Sequence, residues 1–165
     1  MANFDLVFVY DKRFAAYFEE RGLPHPKVGA KNEMPNANDL LWAIDALEFA
    51  DYDRIPYSDD DELLVDHIDD GYGIRIAGFD WANRHYVPGD DFAIYGRGPL
   101  SLAILIKLCE RCGQLLVYPD TGEPPIVLDA TMDADAIYTL HSQGNSWKEF
   151  FEAMYGAKKP KRRRK

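Results

Sequence analysis

Cysteine is almost missing from this chain: Cys109 and Cys112 are the only two in 165 residues. A disulfide-dense secreted scaffold is therefore excluded, and a reducing compartment suits the protein. Long apolar runs are also missing. No stretch approaches the about 18 uncharged apolar residues of a membrane span, so no membrane association is expected. The opening Met1-Ala-Asn-Phe-Asp has no basic segment leading into an apolar one, which argues against a secretory signal and for a cytoplasmic location. Histidine is scarce, at four residues, and His25, His67, His85 and His141 lie far apart. Only Asp66-His67 joins an imidazole to an adjacent acid, and neighbours on a strand point to opposite faces. No Gly-x-Ser-x-Gly nucleophile motif occurs and no internal repeat is visible, so catalysis is the minority reading.

What the chain does have is apolar residues in quantity and an excess of acid. With 47% hydrophobic and 28% charged residues, it can bury one sizeable core and is expected to form a single domain over residues 1–157. The formal charge is −9, from 19 basic and 28 acidic residues. Seven of the basic residues fall within Lys158 to Lys165, which leaves 12 basic residues to set against the 28 acidic ones, a balance of −16. Such a body repels nucleic acid and anionic membrane and attracts basic partners.

The pattern along the chain predicts an α+β domain, with a mixed sheet packed by three to four helices. Phe4 to Tyr10 reads as a strand inside the sheet. Phe14, Tyr17 and Phe18 recur at helical spacing between Asp11 and Arg21, and Gly22 stops that helix. Leu23 to Asn38, with three prolines, is expected to be an irregular connection or a binding loop. Asn38 is a candidate N-cap for a helix from Asp39 to Phe49. An acidic loop follows, and then Leu63–Val65 and Gly73–Ala77 read as a hairpin turned at Asp69-Asp70-Gly71. Gly78 to Gly89 is expected to be irregular. Phe92–Tyr95 reads as a strand, and Pro99 opens an apolar helix that runs to about Cys112 and is capped by Gly113. Leu115–Tyr118 and Ile126–Leu128 are expected to pair antiparallel. Ser146-Trp-Lys-Glu149 matches a capping box for a last helix that buries Trp147, Phe150, Phe151 and Met154.

Four segments carry candidate chemistry. Cys109-Glu-Arg-Cys112 has the spacing of a zinc or redox pair, but it closes an apolar helix instead of opening one and has no further ligand pair, so buried structural thiols are expected. Gly96-Arg97-Gly98-Pro99-Leu100-Ser101 joins a strand to a helix, where backbone N–H groups and the helix dipole favour phosphate. It matches a dinucleotide fingerprint only in part, since Ser101 stands where the third glycine belongs and Pro99 lacks a donor. A small-molecule or nucleotide-binding enzyme at Gly96–Ser101 is the alternative reading.

The acidic run holds Asp59, Asp60, Asp61 and Glu62, followed by Asp66, Asp69 and Asp70. It lacks the spacing of a calcium loop, and no metal or other cofactor is expected. A solvated face is the ordinary meaning of such a run. Here Tyr57 and Tyr72 lie among the acids, and Trp81 and Tyr86 follow. Acids steer and reject partners while aromatics anchor them, so these eleven residues make a candidate surface for a basic protein. The tail Lys158–Lys165 is expected to be disordered, to contact the acidic body or to bind nucleic acid weakly.

From Phe92 to Leu128 the order is strand, glycine-rich turn, apolar helix ending Cys112-Gly113, short strand, Pro119-Asp-Thr-Gly-Glu-Pro-Pro125, short strand. This layout, under a quarter of the chain, resembles the later part of small bacterial immunity proteins that partner secreted toxins. The resemblance implies a non-catalytic inhibitor that occludes a basic toxin, and it carries over no site residue.

Overall fold

A computed structural model describes residues 4–47, 51–57, 60–67, 72–77, 79–80, 85–86, 93–95, 99–119, 124–143 and 146–156. The strands are β1 (Phe4–Val9), β2 (Asp51–Tyr57), β3 (Asp60–His67), β4 (Tyr72–Ala77), β5 (Phe79–Asp80), β6 (His85–Tyr86), β7 (Ala93–Tyr95), β8 (Leu115–Pro119) and β9 (Ile126–Leu128). The helices are α1 (Lys12–Glu20), α2 (Ala37–Ala46), α3 (Leu100–Cys112), α4 (Ala134–Ser142) and α5 (Trp147–Tyr155). The fold is α+β. The main sheet runs β2-β3-β4-β7-β1-β8-β9, and β5 pairs with β6 apart from it.

Every described pairing is antiparallel, where a mixed sheet was expected. The reason lies in the β7-α3-β8 unit. Its two strands run the same way, but β1 enters between them and pairs antiparallel with both. The helices number five among the described residues, against three to four expected. The addition is α4, whose Asp133 side chain accepts from the N–H groups of Asp135 and Ala136.

Local signals account for most of the remaining helices. Asp11 caps α1 by accepting from the N–H groups of Arg13 and Phe14. In α5 the Ser146 hydroxyl accepts from the Glu149 N–H, and the Glu149 carboxylate accepts from the Ser146 N–H. Helix α2 starts two residues earlier than expected. Asn36, not Asn38, is its cap, because Asp39 stands three residues on and closes a reciprocal capping box with it.

Helix α3 is the centre of the core. Ser101, Leu102, Ile104, Leu105, Ile106, Leu108, Cys109 and Cys112 are all buried, which covers most of its circumference. It packs on β8 and β9, with α2 and α4 also against it. A second cluster is aromatic. Phe18 of α1 meets Tyr10, His25 and Phe151, and Phe151 meets Trp147, Phe150 and Tyr155, so that α1 and α5 are joined ring to ring.

The connection Leu23–Asn36 is irregular, as expected, but it is fixed in place. Asn32 donates to the Tyr10 carbonyl at 2.9 Å and accepts from the Gln114 N–H at 2.8 Å. Gln114 in turn accepts from the Gly29 N–H at 2.7 Å and donates to the Lys27 carbonyl at 2.9 Å. Gly113 makes this docking possible. Its φ of 81° is left-handed, and a Cβ there would overlap Asn32 Oδ1 and lie 2.6 Å from the Lys31 carbonyl oxygen.

The two ends of the sheet differ. At the β9 end, the Tyr155 hydroxyl accepts from the Val127 N–H at 2.9 Å and donates to the Val127 carbonyl at 2.6 Å. One side chain thus satisfies both outward groups of an edge residue. Burial holds the Tyr155 phenol well above its ordinary range, and burial followed by the nearby Glu19 carboxylate pushes Tyr10 up to about 12.

Replacing Tyr155 by Phe leaves the Val127 pair unmet and is expected to cost about 1–3 kcal/mol in denaturant unfolding. Because the folded-state tyrosines hold their protons more tightly than the unfolded chain, their contribution is complete below pH 10. It is lost as pH rises from 10.0 through about 12 for Tyr10. Stability measured over that range is expected to fall less steeply in Tyr10→Phe than in the parent.

Candidate protein-binding surface

The acidic segment before Leu63, expected to be a loop, forms β2 and the first residues of β3, and the strand expected at Leu63–Val65 extends over Asp60–His67. The two strands pair from Asp51 opposite Asp66 to Tyr57 opposite Asp60. Residues opposite one another share a face and alternate residues change face. Strand alternation therefore sets Asp51, Asp53, Ile55 and Tyr57 of β2 on one face with Asp60, Glu62, Leu64 and Asp66 of β3. Arg75 of β4, opposite Leu64, and Tyr95 of β7, opposite Arg75, extend that face.

The other face is that of Leu63, Val65 and Ile76, with Leu63 opposite Ile76 and Ile76 opposite Ile94. Ile76 and Ile94 are fully buried. Asp61 and Tyr72 fall on this second face, Asp61 opposite Pro56 and Tyr72 opposite His67. Tyr86 lies on β6 opposite Phe79, in the separate two-stranded sheet. Asp59, Asp69, Asp70 and Trp81 lie outside the described residues, as do Gly96–Gly98 and the tail Lys158–Lys165.

The register thus gathers Tyr57, Asp60, Glu62 and Asp66 from the candidate set and adds Asp51 and Asp53. The signal for these two was the alternation of acid and larger residues in Asp51-Tyr52-Asp53-Arg54-Ile55. Arg75 is the single basic residue that the register sets beside five acids on this face. Asp51 opposite Asp66 is a like-charge pair, which disfavours the sheet by about 0.2–1 kcal/mol relative to neutral residues.

The thiols are placed for packing. Cys109 is buried and donates to the Leu128 carbonyl at 3.6 Å, and Cys112 is buried with its sulfur 3.9 Å from Asp39 Oδ2. Both are free. Burial pushes each up to about 12, with the Asp129 carboxylate adding to this at Cys109 and the Asp39 and Glu33 carboxylates at Cys112. Among the described residues no group of three or more His, Cys, Asp or Glu is placed to hold a metal ion, and no helix is long and apolar enough to cross a membrane.

His25 serves the connection between α1 and α2. Tyr10 Oη donates to the Pro26 carbonyl at 2.7 Å and lies 3.0 Å from His25 Nδ1, while His25 Nε2 is 3.5 Å from Glu19 Oε1. The imidazole also stacks on Phe18 at 5.9 Å. Tyr10 is fully buried, so this chain of polar groups ties the connection to β1 and α1.

Strand order and register thus define an α+β fold whose antiparallel sheet carries Asp51, Asp53, Asp60, Glu62 and Asp66 on its β2 and β3 strands. Compared with protein-family models, curated proteins and solved structures, the chain matches none.

At pH 8 a thiol with a pKa of about 12 is ionised in only about one molecule in ten thousand. Neither cysteine is expected to react with iodoacetamide in the folded protein at that pH, and both are expected to react in denaturant. Rapid labelling of the native chain would contradict the packing described.

Proposed function

We propose that this chain is a non-catalytic protein-binding domain that holds a basic partner against the acidic face of β2 and β3, acting as a cytoplasmic immunity-type inhibitor of a basic toxin. The observation that carries the reading is the register that sets Asp51, Asp53, Asp60, Glu62 and Asp66 on one face, with two of them directly opposed. An excess of one sign concentrated in this way speeds encounter with a cation-rich surface and rejects acidic proteins. Tyr57 on the same face supplies anchoring area. The layout of Phe92–Leu128 supports the immunity reading from a separate part of the chain.

The test is binding to the toxic C-terminal domain of a secreted protein encoded beside this chain. Affinity is expected to weaken as salt rises from about 0.05 to 0.3 M, as the Debye length contracts. The Asp53→Lys/Glu62→Lys variant is expected to lose about ten-fold or more in affinity. Its unfolding midpoint is expected to hold or rise, because both changes relieve repulsion. No binding by the parent at low salt would sink the proposal.

One observation favours a second reading, a small-molecule or nucleotide-binding enzyme at Gly96–Ser101. Ser101 is 1% exposed, and its hydroxyl is the one buried side-chain polar atom without a partner among the described residues. It lies in the first turn of α3, whose N-cap Pro99 supplies no side-chain bond, whereas α1, α2, α4 and α5 are each capped by a side chain. Uncapped N–H groups beside an orphaned hydroxyl are what an anion would complete.

The two readings part in a thermal-shift titration with inorganic phosphate and with adenosine triphosphate. Under the binding-domain reading neither ligand shifts the midpoint, and Ser101→Ala is neutral or stabilising because an unpaired buried hydroxyl is removed. A dose-dependent rise in the parent that Ser101→Ala abolishes would favour the second reading.

A further inference from the structure

We propose that the acidic face receives its partner by strand addition: an extended, basic segment of the partner pairs along the outer side of β2, the end strand of the sheet among the described residues. This rests on the reading of the acidic face given above and adds the mode of recognition.

A sheet has two outer strands, and here they are β9 and β2. At β9 the outward N–H and carbonyl of Val127 are both taken by Tyr155. Along β2, β3 pairs on one side, and among the described residues no strand pairs on the other. In an antiparallel pair every second residue of the outer strand turns its N–H and C=O away from its neighbour. Alternate residues of Asp51–Tyr57 therefore turn donors and acceptors to the outer side, and Pro56 is the one residue of the strand with no N–H to give.

Charge selects what can use these groups. Asp51 and Asp53 lie on the edge strand itself, and Asp60, Glu62 and Asp66 lie on the strand behind it, on the same face. A second copy of β2 would bring further acids against these and is repelled, as suits an edge guarded against self-association. A strand carrying Lys or Arg at alternate positions meets carboxylates on that face while its backbone completes the ladder. Main-chain bonds then supply affinity and the alternating side chains specificity.

The experiment uses the full chain and three synthetic probes of equal charge: a decapeptide alternating Lys and Val, the same sequence with every backbone nitrogen methylated, and a basic peptide designed as a stable helix. Binding is measured at low salt, together with hydrogen exchange at the amides of Asp51–Ile55. The unmodified decapeptide is expected to bind at least about ten-fold more tightly than the other two, a difference worth roughly one hydrogen bond to a charged or well-aligned group. It is also expected to slow exchange on β2.

If the three probes bind alike and all lose affinity in Asp53→Lys/Glu62→Lys, the acidic face stands and strand addition falls. If none binds, or if binding ignores the charge reversals, the reading of the face itself fails and takes the proposal with it. Protection of β2 that is present without any probe and vanishes on deleting residues 157–165 would make the chain's own basic tail the occupant and overturn a partner strand.

Discussion

A helix that withdraws Leu102, Ile104, Leu105, Ile106, Leu108, Cys109 and Cys112 from solvent cannot stand in water by itself; it must be covered on several sides at once. Each such aliphatic side chain contributes about 1.5–3 kcal/mol by leaving water, and only when its cover is complete. The cover of α3 comes from both sides of it in the sequence, with α2 before it and β8, β9 and α4 after it. Loss of any one wall exposes the same helix, so the walls depend on one another. The Leu23–Asn36 connection belongs to this arrangement, because Glu33 N–H donates to the Cys112 carbonyl at 2.8 Å just where α3 ends and Gly113 turns the chain.

Much of this was legible from residues alone. The apolar run of β1, the run after Pro99 and the Ser146/Glu149 box state their structures locally, and the folded chain follows them. Other elements were hidden for physical reasons. Asp51-Tyr-Asp-Arg-Ile-Pro-Tyr57 has the composition of a loop and becomes a strand only because β3 lies beside it. Two asparagines, Asn36 and Asn38, compete to start α2, and the choice turns on the three-residue spacing to Asp39. Helix α4 is short, and its capping aspartate sits among other acids.

The candidate surface was legible as a cluster and not as a face. Acids concentrated between residues 59 and 70 announce themselves in any reading of charge. Which of them point the same way depends on register, and a step of one residue sends a side chain to the opposite face. Asp60, Glu62 and Asp66 stay together for that reason, and Asp61 leaves them. Asp51 and Asp53 join from a strand that composition did not reveal. The role of Tyr155 had no sequence signal either, since a phenol at a helix end gives no hint of which carbonyl it will find.

The place of β1 bears on how the chain is made. Leu6 pairs with Ala93 and Val7 with Val117, so the first strand of the sheet has both of its neighbours late in the sequence. A ribosome delivers β1 long before either strand that will flank it. Through that interval its two ladders of hydrogen-bonding groups and the apolar residues Leu6–Val9 have no native cover, while β2, β3 and β4 can already pair among themselves. Insertion of β1 between β7 and β8 is then a late event that closes large loops, the kind of step that slows folding and gives chaperones something to hold.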